Sequence, residues 1–288
     1  MSGPVRFAPT ATSKSSATRT KAQAMADQAK KRFGQNFLHD QNMVAKILAI
    51  VDPRPGQALV EIGPGRGALT QGLIRGAGRL TAIEIDRDLH QGLLTRFGRG
   101  LSLVAQDVLT VDFAELADQA GQSIRIVGNL PYNISSPILF HLLPVAHRVV
   151  DQTFMLQKEV VDRMVAPEGS KTYGRLSVML QARYQMERRL VVPPGAFTPA
   201  PKVDSAIVSL WPKPVSEIGV RDWSTLARLV TAAFATRRKM IRNNLAAELD
   251  RLDLAAAGVS ETSRAEEISV DQYVALANQL ASPPASPL

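Results

Sequence analysis

The chain has 288 residues, of which 45% are hydrophobic and 21% charged, with a formal charge of +8; that length supports a sizeable core in one large or two modest domains. No apolar run approaches the roughly 18 residues that a membrane-spanning helix needs, and the composition is neither that of a disordered nor of a fibrous chain. The absence of cysteine removes disulfides, thiolate zinc sites and cysteine nucleophiles and suits a reducing compartment, while a pI near 10 points to a polyanionic partner.

The charge is unevenly placed. Residues 1–30 carry +4, 31–128 carry +1, 129–217 carry +3 and 218–288 carry none. The first of these segments is rich in Ser, Thr and Ala, has Asp27 as its only acid, and reads as a disordered basic tail. It has no apolar secretory core. Its basic, acid-poor composition resembles an organellar transit peptide, but the apolar face of such peptides is poor.

Beyond residue 55, short β-branched or aliphatic runs alternate with helical stretches, the pattern of a parallel sheet covered by helices. Strands are predicted at 58–62, 80–85, 101–105, 124–130 and 153–157, with crossover helices around 68–75, 87–97 and 136–143. In such sheets ligands lie beyond the carboxyl ends of the strands. A proline-rich stretch at 191–214, holding an alternating strand at 203–210, closes the first domain. The remaining residues predict helices at 222–234, 237–249 and 270–281, then a loose tail at 282–288.

The strand ends carry chemistry in order. After the first stands EIGPGRGALT, where Gly63, Gly65 and Gly67 let the backbone approach a ligand. The same loop fits G-x-G-x-x-A through Gly63, Gly65 and Ala68, so it does not separate a dinucleotide site from one for another adenosine cofactor. Glu84 and Asp86 follow the second strand. Glu84 stands 21 positions after Gly63, the distance at which a carboxylate meets two ribose hydroxyls. Alternation puts both acids on one side, and nearness to the strand end favours Glu84. After the third strand, Asp107 is placed to accept from an adenine amino group with Val108 covering the ring; the plainer reading of Asp107 is a helix cap.

The fourth strand ends in Asn129, Leu130, Pro131 and Tyr132. An exocyclic amine on a base is a poor nucleophile because its lone pair is delocalised into the ring. The Asn129 side-chain carbonyl and the backbone carbonyl after it can accept both amine protons, pyramidalise the nitrogen and aim its lone pair at an electrophilic methyl group. Pro131 presets the turn, and Tyr132 supplies a ring on which a flipped base stacks. An ordinary turn is the alternative.

With these motifs in view, the chain resembles the small-subunit ribosomal RNA adenine N6,N6-dimethyltransferases. The likeness runs through KRFGQNFLHD (31–40), VEIGPGRGALT (60–70), AIEIDRDL (82–89), QDVL (106–109), VGNLPYNISSPIL (127–139), MLQKEVVDRMVA (155–166), YGRLSVMLQ (173–181), FTPAPKVDSAIVSL (197–210) and FATRRKMIRNNL (234–245). The resemblance implies an α/β fold, a Rossmann-like class I methyltransferase sheet over 31–217, with a smaller C-terminal all-helical RNA-binding domain over 218–288. It implies S-adenosylmethionine as cofactor, with contacts from Asn36, Leu38, Gly63, Gly65, Glu84, Asp107, Val108 and Asn129. It further implies that Phe197 stacks on the target base opposite Tyr132. Taken alone, Phe197 reads as a core residue, and the proline-bounded loop around it argues for an exposed platform.

The expected partner is small-subunit ribosomal RNA or the immature small subunit, met by Lys202 and by Arg237, Arg238, Lys239 and Arg242, a basic cluster hidden in a neutral segment. The expected protein is a cytoplasmic monomer without membrane or metal. Leu130, unable to stiffen the loop as a second proline would, is expected to give room for a methylated amine. A large-subunit, erythromycin-resistance type methyltransferase shares the cofactor blocks, but FTPAPKVDSAIV and RRKMIRNNL argue against it. A non-catalytic ribosome-assembly or nucleic-acid-binding relative would lack the cofactor residues, which are intact. A dehydrogenase leaves Asn129 to Tyr132 unexplained.

Overall fold

The structure, a computed structural model, describes residues 35–281; the expected tail at 1–30, the first four residues of the KRFGQNFLHD block (31–34) and the tail at 282–288 lie outside them. Residues from Asn36 onward form one compact unit. Its centre is a seven-stranded sheet in the order β4-β3-β2-β5-β6-β9-β7. The strands are β2 (Ala58–Ile62), β3 (Leu80–Ile83), β4 (Leu101–Val104), β5 (Ile124–Asn129), β6 (Val149–Gln157), β7 (Tyr184–Val192) and β9 (Ser205–Pro212). A separate two-stranded sheet pairs β1 (Phe37–Leu38) with β8 (Phe197–Thr198). Strands β2 to β6 pair in parallel, as their alternation with helices dictates, and β9 inserts antiparallel between β6 and β7.

Continuous apolar strands imply burial on both faces, and two clusters supply it. Val60, Ile62, Ile126, Phe154 and Leu156 belong to one; Leu59, Ala82, Val127, Met155 and Ile207 belong to the other. Successive residues alternate between them, as the pleat requires. The predicted strands appear within a few residues of their expected bounds. β7 escapes sequence reading because Gln185, Glu187, Arg188 and Arg189 are polar, on an edge strand with a largely solvated pattern.

One expectation fails toward the C-terminus. Helices form at Trp223–Ala233 and Val270–Leu280 as predicted, but 237–249 is not one helix: only Ile241–Asn244 is α-helical, and Arg237, Arg238 and Lys239 lie on the turn before it. The Asn244 amide donates to the carbonyls of Ala233 (2.6 Å) and Thr236 (3.0 Å), taking up the end of the preceding helix and reversing the chain. The C-terminal helices share their core with the segment before them. Their cluster, with Leu226, Leu229, Val230, Tyr273 and Leu276, includes Ala166, Tyr173, Val178, Met179 and Ala182 from before the expected boundary at 217/218.

Candidate active site

The chain order reverses between β2 and β5, which are neighbours in the sheet, and their carboxyl ends frame the crevice where ligands of such sheets lie. Ile62 is in register with Gly128, so Gly63 and Asn129 leave the sheet side by side. Gly63 N–H donates to the Ile83 carbonyl at 2.9 Å, extending the ladder one residue into the loop. The loop then passes through Gly65, whose φ of +57° favours glycine and whose missing Cβ would sit 3.1 Å from the Phe37 ring. Phe37 therefore lies against the glycine loop, and the Arg66 guanidinium stands 4.6 Å above its centroid.

Glu84 is buried and its carboxylate reaches back to this loop. It accepts from Gly65 N–H at 3.2 Å and from Asp86 N–H at 2.9 Å. Burial raises its pKa, against the pull of those two backbone donors. Two of its roughly four lone-pair directions are used, leaving acceptors for a diol. Asp86 instead caps the helix Arg87–Phe97 by accepting from Asp88 N–H, so the structure separates two acids that alternation left equivalent. Beneath the loop, Glu61 is fully enclosed and accepts 2.6 Å from the Thr70 hydroxyl at the start of the next helix. Burial pushes the Glu61 carboxyl up to about 7, with nearby Glu84 adding to the rise.

Asp107 does cap a short helical turn, accepting from Leu109 N–H at 3.0 Å through one oxygen; the other oxygen is not needed for the cap. Val108 is buried beside it, at the edge of the core. The apolar side chain left open at these strand ends is Ile85, 44% exposed next to Glu84.

Asn129 ends β5, and its Nδ2 donates 3.1 Å to the Asn36 carbonyl. A carbonyl only accepts, so this bond fixes which end of the amide is which, and Oδ1 is the end left for a donor. Asn36 thus acts on the site through its backbone. Leu130 N–H bonds the Met155 carbonyl at 3.1 Å and the side chain is buried in the core. The loop is anchored at Leu130, contrary to the expectation of slack there. Pro131 accepts from Ile134 N–H at 3.2 Å, closing the turn. Tyr132 is half-buried; its carbonyl accepts from the Ser135 hydroxyl and its own hydroxyl meets Ser205 Oγ at 2.7 Å. Burial raises the phenol pKa.

Phe197 is 3% exposed and belongs to the core cluster that holds Leu38, Met155 and Val192. It is in register with Leu38, itself buried, and the neighbouring Ala196 carbonyl accepts from His39 N–H at 2.9 Å. The expected exposed platform is absent, because strand pairing turns Phe197 inward. Phe197 and Leu38 join the segments that deliver Asn36 and Phe37 to the site.

The basic cluster divides. Arg237 donates to the Lys171 carbonyl and, at 3.4 Å, to that of Tyr173, so its fork is held by backbone. Arg242 stands 3.8 Å from the Glu261 carboxylate. Arg238, Lys239 and Lys202 are exposed. Of the residues that sequence reasoning missed, Glu61 carried a signal, an acid inside an apolar strand. Phe37 and Ser205 carried none, because their partners lie far away along the chain.

Comparison with known proteins shows the family and the fold. A ribosomal RNA adenine dimethylase family profile matches residues 26–282. A protein of Ralstonia nicotianae described as ribosomal RNA small subunit methyltransferase A is 54% identical over 255 residues, covering 88% of this chain and 90% of its own length. One of the same description from Leptothrix cholodnii is 52% identical over 260 residues, 90% of this chain and 95% of the relative. Among solved structures, the 23S rRNA methyltransferase ErmE superposes with a TM-score of 0.66 at 27% identity, covering 85% of this chain and 99% of ErmE. A dimethyladenosine transferase from Plasmodium falciparum shares the fold with a TM-score of 0.68 at 23% identity, covering 83% and 95%.

Proposed function

The chain belongs to the ribosomal RNA adenine dimethylase family, and on that premise we propose that it dimethylates N6 of two adjacent adenosines in the 3′-terminal hairpin of small-subunit (16S) ribosomal RNA. When bound, S-adenosylmethionine would supply an electrophilic methyl group on a sulfonium, which N6 would take with loss of a neutral thioether and of one N6 proton to water. The residues present suit it. The glycine loop from Gly63 to Gly65 gives close backbone approach for the methionine part, Glu84 has acceptors for the ribose hydroxyls, and Asp107 has an oxygen for the adenine amine.

The observation that carries the reading is the Asn129 amide, pinned by the Asn36 carbonyl at 3.1 Å beside Gly63. Its Oδ1 and the Leu130 carbonyl accept the two N6 protons and turn the nitrogen lone pair toward the methyl group. Tyr132 stacks on the flipped base. Orientation of this kind, without a strong base, contributes several kcal/mol when reacting atoms are held near contact.

Arg238, Lys239 and Lys202 meet RNA phosphates in the immature small subunit, with Arg242 shared between RNA and Glu261. The protein acts as a cytoplasmic monomer. Among the described residues no helix is long and apolar enough to cross a membrane. The test is methylation of small-subunit particles from cells lacking the modification, with mass spectrometry locating the products. Two neighbouring dimethyladenosines are expected, and methylation of large-subunit RNA instead would refute the substrate assignment.

A further inference from the structure

Tyr132 is held at three points. Its peptide carbonyl takes the Ser135 hydroxyl at 3.2 Å, the turn ahead of it is closed by Ile134 N–H on the Pro131 carbonyl, and its phenol tip meets Ser205 Oγ at 2.7 Å. Ser205 is itself tied into the sheet. It is fully buried as the first residue of β9, in register with Gln157 on β6 and Val192 on β7, and the neighbouring Asp204 carbonyl accepts from Lys158 N–H at 2.9 Å. Three strands therefore fix the position of one hydroxyl, and that hydroxyl fixes the far edge of the Tyr132 ring. A phenol engaged in this way is an orienting group rather than a proton acceptor.

The demand on that ring changes during the reaction. Before the first transfer N6 carries two protons, and two acceptors, Asn129 Oδ1 and the Leu130 carbonyl, orient it. After one methyl a single proton remains, so one acceptor loses its partner and the stack on Tyr132 takes a larger share of the alignment. Misplacement of reacting groups by about an ångström costs about a hundredfold in rate.

We infer that Ser205 is a positioning residue that locks the Tyr132 ring, and that this lock serves the second methyl transfer more than the first. The inference rests on the reading of Tyr132 as the base-stacking ring. It assigns Ser205 a role in product specificity, deciding whether the enzyme finishes at the dimethylated base or releases a monomethylated one.

The experiment uses the full chain, small-subunit particles lacking the modification, and S-adenosylmethionine, with time courses of mono- and dimethyladenosine read by mass spectrometry. Tyr132→Phe and Ser205→Ala each remove one end of the lock. In both, the second transfer is expected to slow about tenfold and the first about twofold, so monomethyladenosine accumulates. The double variant should be no slower than either single one, since both act through one bond. If Ser205→Ala proves unstable to heat, Tyr132→Phe, which leaves the core intact, decides alone. Equal slowing of both transfers, or a product ratio like that of the unaltered protein, overturns the inference. Failure of the unaltered protein to dimethylate the particles would instead count against the proposed function.

Discussion

The proposed cofactor side and the proposed RNA side of this molecule are built by different means. On the cofactor side, Gly63, Glu84 and Asn129 stand at the ends of β2, β3 and β5, where backbone register places them. On the RNA side, Arg237, Arg238, Lys239 and Arg242 stand on a turn and a short helix, and their surroundings assign them different tasks. Register makes position legible and role nearly automatic. A turn gives proximity in sequence without giving equivalence.

The largest effect that would break this contrast belongs to the cofactor side. Asn129→Ala removes the Oδ1 acceptor and the bond to Asn36, and the transfer rate should fall about a hundred- to a thousandfold. S-adenosylmethionine binding, followed by calorimetry, should stay measurable because Glu84 and the glycine loop are untouched. Normal turnover in that variant would remove the mechanistic reading of the strand ends.

Next comes Glu61. Its folded-state pKa is raised to about 7 from an ordinary value of 4.5, so between those values the unfolded chain gives up its proton while the folded chain retains it. Stability contributed by the protonated form is complete below the lower value, is lost as pH rises through the window, and stays lost above it. Glu61→Gln keeps an acceptor for Thr70 without the charge. It should gain on the parent by up to about 3 kcal/mol between pH 4.5 and 8, read from denaturation midpoints at several pH values. A constant difference across that range would show that the buried carboxyl does not titrate there.

Smaller effects sharpen the RNA side. Replacing Arg238 and Lys239 together by Ala should weaken RNA binding and reduce the slope of log affinity against log salt by about 1.4 to 1.8, with no change in melting temperature. Arg237→Ala should do the reverse. Losing its bonds to the Lys171 and Tyr173 carbonyls should cost about 0.5–1 kcal/mol of stability, with a smaller change in salt slope than either neighbour produces. Three equal contributions to the slope would make the cluster uniform after all.

Much of the sheet was legible because an apolar run between glycine-rich turns admits few other structures. Glu84 was legible for the same reason, since its distance from Gly63 is a property of one β-α-β unit. Reasoning failed where a residue's setting is made by distant chain. Phe197 looks exposed in its proline-bounded loop until Leu38 pairs with it, and the helix expected at 237–249 gives way to a turn because Asn244 reaches back to Ala233 and Thr236. Leu130, offered as slack, is an anchor.

The C-terminal hydrophobic cluster has a consequence for how such proteins can be recombined. Because Ala166, Tyr173, Val178, Met179 and Ala182 pack with Leu226, Leu229 and Tyr273, the C-terminal helices are not a cassette that begins at residue 218. A chimera joined at that point would set one parent's helices on the other parent's bed. A working exchange should then require that residues 166–182 travel with the helices, so the unit to be moved is discontinuous in the chain.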